Sequence, residues 1–309
     1  MDILLTSTSF QDTPGLHNEK LNNLKCSVDK LRGPLTAKQL LPIIQNYDGI
    51  ICGDDDFNAE VLIKGKKGKL KVLSKYGIGL DKIDLKAAKK NNILVFNTPG
   101  VNHCAVAEHT FALLLSFEKN IIEENNLIKK NKWVRLIGNE IYKKKIGVFG
   151  LGSVGKEVVK RSLAFGMEVY AFDKYEDVDF IKKYKINFSS SLESFISKID
   201  YMSLNLPLNE FTFHLINKNV LKKIKKNLVI INTARADLVD QHALLESIKN
   251  SKIRGYLTDV LEKEPMIKNH PLLNFKNVII TPHIGSRNYE TVQRQGLKSV
   301  ENLSNFLNL

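Results

Sequence analysis

The stretch KIGVFGLGSVGKEVVKRSLAFGMEVYAFDKY, residues 145–175, limits the possible folds of this chain more than any other. Gly150-x-Gly152-x-x-Gly155 follows a short apolar run and opens a helical pattern, and Asp173 closes the next apolar run. Each position has a mechanical reason. Gly150 permits a tight turn, Gly152 lets the backbone approach a pyrophosphate, and Gly155 lets the helix pack closely on the sheet. The N-terminus of that helix would offer N–H groups to phosphate oxygens. Asp173, 23 positions after Gly150, is where an acid holds the adenosine ribose hydroxyls. A carboxylate there repels a ribose 2′-phosphate, so NAD is the expected cofactor, with Lys174 as a mild counterweight.

The rest of the chain repeats the same grammar. Short apolar runs, ILLT (3–6), DGIIC (48–52), KVLS (71–74), ILVF (93–96), KIGVF (145–149), EVYAF (168–172), LVIIN (228–232), GYLTDV (255–260) and NVIIT (277–281), alternate with longer amphipathic stretches. That alternation predicts parallel βαβ units and doubly wound α/β sheets covered on both faces. Thr98-Pro99 and Thr281-Pro282 each follow an apolar run and stiffen the chain as it leaves. They suggest paired hinges near 98–101 and 282–286, with one domain inserted into another and the helical tail 287–309 returning to the first. The stretch from His103 to about Lys130 reads as one long helix capped by Asn102, either a core helix or a subunit interface.

Charge and cysteine usage narrow the partners. The formal net charge is +13, but only seven basic residues are Arg, and the Lys clusters at 64–71, 129–132, 143–145 and 222–226 have almost no aromatic neighbours. A solvated Lys-rich surface explains this better than a nucleic-acid site, which would use Arg forks and interleaved aromatic rings. The same charge favours an anionic substrate. No apolar run reaches the roughly 20 residues of a membrane helix, and no leader pattern opens the chain. Cys26, Cys52 and Cys104 have neither disulfide nor zinc spacing, so no metal and a reducing cytoplasm are expected.

Three segments carry polar groups at the ends of apolar runs: INTARADLVD (231–240), TDVLEKEP (258–265) and TPHIGS (281–286). Strand carboxyl ends face the ligand crevice of an open α/β sheet, which makes Arg235, Glu264 and His283 candidates to meet there. Hydride transfer to a 2-oxo acid needs a cationic fork for the carboxylate and carbonyl, and a proton donor for the nascent alkoxide. The other six histidines lack such context and read as capping, surface or packing residues.

These motifs, with KYGIGLDKID (75–84) and NTPGVNHCAVAEHT (97–110), resemble the D-isomer-specific 2-hydroxyacid dehydrogenase family, and within it the phosphoglycerate dehydrogenase branch, over nearly the whole chain. The resemblance implies a Rossmann NAD-binding domain (99–285) inserted into a flavodoxin-like substrate-binding lid domain (1–98 plus 286–309), with catalysis in the interdomain cleft. It also implies a homodimer formed around the helix from His103. By motif, Arg235 binds the substrate carboxylate and polarises the keto oxygen. His283 is the acid in reduction and the base in oxidation, and Glu264 bonds the far nitrogen of its ring and favours the protonated form. The backbone of Tyr76, Gly77, Ile78 and Gly79 would hold the substrate carboxylate, and Asp259 the nicotinamide carboxamide, with Gly285 beside it. Ser153, Val154, Pro207, Thr233 and Ala234 complete the implied cofactor contacts.

Lys75 and the Trp133-Val134-Arg135 segment, whose arginine would reach across a dimer, favour 3-phosphoglycerate as substrate. The pattern departs elsewhere. Gly53-Asp54-Asp55-Asp56 replaces a basic residue and would repel a phosphate, Lys82 replaces an Asn, and Asn205 replaces a His. Glycerate, a sugar-derived acid, or an NAD-sensing regulatory scaffold are the alternatives. The chain ends at Leu309, which leaves no room for a serine-sensing domain.

Overall fold

A computed structural model describes residues 1–308. In chain order the first elements are β1 (Asp2–Leu5), α1 (Thr8–Asp12), α2 (Leu16–Asn22), β2 (Ser27–Lys30), α3 (Ala37–Leu40), β3 (Gly49–Cys52), α4 (Ala59–Lys67), β4 (Val72–Lys75), α5 (Leu85–Lys90) and β5 (Leu94–Phe96). Then follow α6 (His103–Glu118), α7 (Ile121–Lys129), β6 (Lys145–Phe149), α8 (Ser153–Ala164), β7 (Glu168–Phe172), α9 (Val178–Tyr184), β8 (Asn187–Ser189) and β9 (Tyr201–Leu204). The last are α10 (Lys218–Lys223), β10 (Leu228–Asn232), α11 (Gln241–Lys249), β11 (Ile253–Thr258), β12 (Val278–Ile280) and α12 (Tyr289–Leu307).

Two compact units result, Met1–Asn102 with Arg287–Leu309, and His103–Ser286. The first holds a five-stranded parallel sheet in the order β2-β1-β3-β4-β5, the flavodoxin-like order. Its strands β1, β3 and β4 are buried because helices cover both faces. Leu40, Ile44, Val61 and Leu62 pack on one side, and Phe10, Leu21, Val300, Leu303 and Leu307 on the other. The tail helix α12 lies against α2, β3 and β4 of this unit. Residues 99–102 stay with it because the Val101 carbonyl accepts from Arg294 Nε on α12 at 3.1 Å. The boundary therefore falls at 102/103, four residues beyond the Thr98-Pro99 expectation.

The second unit holds a seven-stranded parallel sheet in the order β12-β11-β10-β9-β6-β7-β8, the Rossmann order extended by one strand. Nine strands match the apolar runs of the sequence to within two or three residues. The other three, β2, β8 and β9, are not among those runs, for two different reasons. SVDK and NFS are sheet edges with polar, partly exposed side chains, whereas YMSL is buried at the centre without a β-branched residue.

The expected single helix from His103 is two helices. Asn120 takes a left-handed backbone (φ 53°) and breaks the run. Asn102 does not cap it, since its side-chain oxygen has no hydrogen-bond partner. α6 is a core helix, with Ala107, Phe111, Leu113 and Leu114 buried, and its last residue, Glu118, is buried against Arg254. α7 buries nothing within the chain. Among the described residues, no helix is long and apolar enough to cross a membrane.

Candidate active site

The glycine turn leaves β6 at the switch point of the second sheet, where strand order reverses between β6 and β9. Gly150 has φ +98°, and a Cβ there would sit 2.7 Å from the Asn205 carbonyl oxygen. Gly155 is fixed more tightly, because a Cβ would lie 1.8 Å from the Gly150 carbonyl oxygen. At Gly152, by contrast, nothing lies within 4 Å of a Cβ position. Gly152 and Ser153 are exposed at the start of α8, and no side chain caps its N–H groups. This uncapped helix end with open space above it fits a pyrophosphate. Val154 is half-buried behind it. Asp173 ends β7 as expected and its Oδ2 accepts from the Leu151 N–H at 2.7 Å, so the acid sits against the glycine turn. These residues fit NAD. Pro207 is exposed past the end of β9, and Thr233 after β10 meets the Thr110 hydroxyl at 3.0 Å.

The loops after β10, β11 and β12 carry Arg235, Glu264 and His283, the candidate reactive groups. Asn232, buried at the end of β10, shapes the turn that presents Arg235. Its Oδ1 accepts from the Ala234 N–H (3.1 Å) and its Nδ2 donates to the Arg235 carbonyl (2.9 Å). The Arg235 guanidinium is half-buried and donates through Nη1 to the Ala234 carbonyl at 2.7 Å. Glu264 and His283 are brought together although 19 residues apart. Glu264 Oε2 lies 2.7 Å from His283 Nδ1, while Oε1 accepts from the Leu261 N–H. His283 has φ +53°, a conformation that β-branched residues avoid.

What holds that histidine in place is Asp259. Buried at the end of β11, its carboxylate accepts from the Thr281 hydroxyl (2.6 Å), the Ile284 N–H (2.9 Å) and the Gly285 N–H (2.7 Å), with His109 Nε2 at 3.4 Å. Burial alone would raise its pKa, but the bonds from His109, Thr281 and Ile284 outweigh it and hold the carboxyl below its ordinary value. Asp259, expected beside the nicotinamide, thus clamps the 281–285 loop that carries His283. Sequence reasoning missed His109. Its Nε2 lies 2.9 Å from the Thr281 hydroxyl, and only its place six residues after the start of an apolar helix hinted at packing rather than this bond.

In the first unit the loop after β4 is partly engaged. The Tyr76 N–H donates to the Cys52 carbonyl (2.8 Å), and the Gly77 N–H to the Thr98 hydroxyl (3.0 Å). Among the described residues, the N–H groups of Ile78 and Gly79 have no hydrogen-bond partner. Of the four positions expected at a substrate carboxylate, Tyr76 and Gly77 thus have their N–H groups already bonded within the unit. Lys75 is 3% exposed, and its ammonium donates to the Gly53 carbonyl (2.6 Å) and Asp54 Oδ1 (2.7 Å). The acidic run divides its labour. Asp55 is buried and accepts from the Thr6 hydroxyl and the Leu35 and Gly53 N–H groups, whereas Asp54 and Asp56 are exposed. Trp133 and Arg135 lie on an exposed segment of the second unit. His103, Cys104 and Glu157 cluster, but both Glu157 oxygens are engaged by Lys160 and Arg161, which compete with any cation.

The family model for the NAD-binding domain of D-isomer specific 2-hydroxyacid dehydrogenases matches residues 111–285. The chain is 35% identical over 275 residues to the hydroxypyruvate reductase of Thermotoga maritima, covering 87% of this chain and 88% of that one. It is likewise 35% identical over 275 residues to the D-3-phosphoglycerate dehydrogenase of Methanocaldococcus jannaschii, covering 88% of this chain but 52% of that protein. The crystal structure of D-lactate dehydrogenase from Aquifex aeolicus, complexed with NAD and lactic acid, superposes with a TM-score of 0.86 at 28% identity, over 99% and 95% of the two chains. With the glycine turn, Asp173 and the imidazole–carboxylate pair in place, the chain belongs to the D-isomer specific 2-hydroxyacid dehydrogenase family, an NAD-dependent oxidoreductase acting on CH–OH groups.

Proposed function

We propose that the protein interconverts a small anionic D-2-hydroxy acid and its 2-oxo acid, with a three-carbon acid of the glycerate type as substrate. Bound NAD supplies or accepts the hydride. The chain's own residues do the rest. Arg235 grips the carboxylate and polarises the keto oxygen through its planar fork. The paired N–H groups of Ile78 and Gly79 hold the carboxylate, which gives the first unit the role of substrate-binding lid. The observation that carries the reading is the 2.7 Å contact of Glu264 with His283 Nδ1. With Glu264 on Nδ1, proton exchange with the substrate oxygen falls to Nε2, and the carboxylate stabilises the ring in its charged form.

The sequence favours 3-phosphoglycerate through Lys75 and Arg135, and D-glycerate differs from it by one phosphate. Relatives named for both reactions match this chain equally well. The chain is proposed to act as a homodimer, and its three free thiols suit a reducing cytoplasm.

The test is NADH oxidation, followed by absorbance, with a panel of 2-oxo acids that includes hydroxypyruvate, glyoxylate, pyruvate and 3-phosphohydroxypyruvate. Turnover of at least one three-carbon acid is expected. His283→Asn should lower kcat by about 10²–10⁴-fold with NADH affinity intact, since it removes proton transfer alone. Silence across the panel, or full activity in the variant, would overturn the assignment.

A further inference from the structure

We propose that the rings of Tyr175 and Phe211 hold the base of the dinucleotide by stacking alone, so that the protein accepts the cofactor whichever purine it carries. The inference rests on the cofactor assignment of the glycine turn and Asp173, and every residue it uses belongs to the second unit.

The base of NAD is attached to the ribose carbon beside the one that bears the 2′-hydroxyl. A carboxylate that holds the ribose therefore sets where the base lies. Asp173 is that carboxylate, and while its Oδ2 is bonded to the glycine turn, its Oδ1 accepts from the Tyr175 N–H at 3.1 Å. Tyr175 is thus tied to the ribose position, yet it is 75% exposed. The loop after β9 approaches from the other side. It passes the glycine turn at the Asn205 carbonyl and carries Phe211, which is 76% exposed. Lys174 links the two loops, with its ammonium 5.6 Å from the centre of the Tyr175 ring and 5.4 Å from that of Phe211. A cation–π contact at an exposed site is weak, so the lysine yields the ring faces to a flat base or stacks on that base itself.

The polar side chains of the β9 loop are turned to its own backbone. Asn209 Oδ1 accepts from the Phe211 and Thr212 N–H groups at 2.9 and 3.1 Å. The Thr212 hydroxyl donates to the Pro207 carbonyl and accepts from the Asn209 N–H. These bonds fix the backbone of Phe211 and leave its ring as the group presented outward. The remaining polar groups, the amide nitrogen of Asn209 and the carboxylates of Glu176 and Glu210, belong to exposed residues, where water competes for every bond they make. A site rejects an altered base only when buried donors and acceptors are matched to its edge. Stacking engages the π-face, which every base has.

The experiment measures dissociation constants by titration calorimetry for NADH, its hypoxanthine analogue and ADP-ribose, with the full chain and three variants. The parent should bind the two dinucleotides with constants less than about fivefold apart. Phe211→Ala should weaken all three ligands by about threefold or more and by a common factor, Tyr175→Ala should act in the same direction, and Phe211→Trp should keep the parent affinity. A parent that prefers adenine to hypoxanthine beyond that limit overturns the proposal without recourse to any variant. So does a Phe211→Ala protein whose NADH affinity falls by less than that threefold. Failure of the parent to bind NADH at all would remove the cofactor assignment itself, and this inference with it.

Discussion

His283 and Glu264 come from different loops, and their meeting depends on side chains outside the pair itself. Asp259 is the main one, binding the two N–H groups just after the histidine, and His109 and Thr281 steady Asp259 in turn. Arg235 is set by Asn232 in the same way. In a chain that uses Lys for 39 of its 46 basic residues, arginine supplies the two-pronged grips on Glu118 (Arg254) and Asp12 (Arg32). Arg235→Lys should therefore lower kcat/KM by about 10²-fold for every accepted acid, because one oriented donor to the developing oxyanion is lost. Parity of the two enzymes in steady-state assays would remove Arg235 from that role. Arg235, Glu264 and His283 stood out in the sequence because each follows an apolar run, and the structure brings Glu264 to His283. The bonds of Asp259 and His109 were not legible there, because their partners come from distant positions, Thr281, Ile284 and Gly285.

At the scale of elements, the parallel strands act as a row of presenters. β10, β11 and β12 end side by side, so residues spaced along the chain from 233 to 285 reach one edge of the sheet. The loop after β12 is held by a buried carboxylate, which makes its stability depend on acid. The folded pKa of Asp259 lies below its ordinary 3.8, so its contribution is fully present above that value and fades as pH falls through the lower folded value. In urea unfolding curves, Asp259→Asn should be less stable than the parent by about 2 kcal/mol near neutrality, with the gap narrowing below about pH 4. A gap that is constant down to pH 2.5, or absent at pH 7, would show that the clamp does not hold the loop. Here the sequence misread one long element. The run from His103 had no glycine or proline to announce its break, and only the left-handed turn at Asn120 divides the core helix α6 from the exposed α7.

At the scale of the molecule, α7 and the segment after it leave apolar side chains uncovered. Ile121, Ile122, Ile128, Trp133 (81% exposed) and Ile137 (95% exposed) lie on the second unit. A run of exposed apolar side chains of this kind is the expected face of a dimer. Light scattering behind size exclusion should give twice the 35.0 kDa chain mass, and Ile137→Asp should shift the population to the monomer at micromolar concentration. A monomeric parent would end the dimer proposal. The sequence by itself marked most strands of the two sheets, the cofactor turn and the motifs that carry Arg235, Glu264 and His283, because strand ends, glycine spacing and hydropathic alternation are local properties written in consecutive residues. Only the tertiary structure decided which carboxylates are buried among donors and which stay exposed. Asp55, Asp259 and Asp54 are the same side chain after similar strands, and burial, donors and an ammonium partner, contributed mostly by residues 20 or more positions away, give each different surroundings.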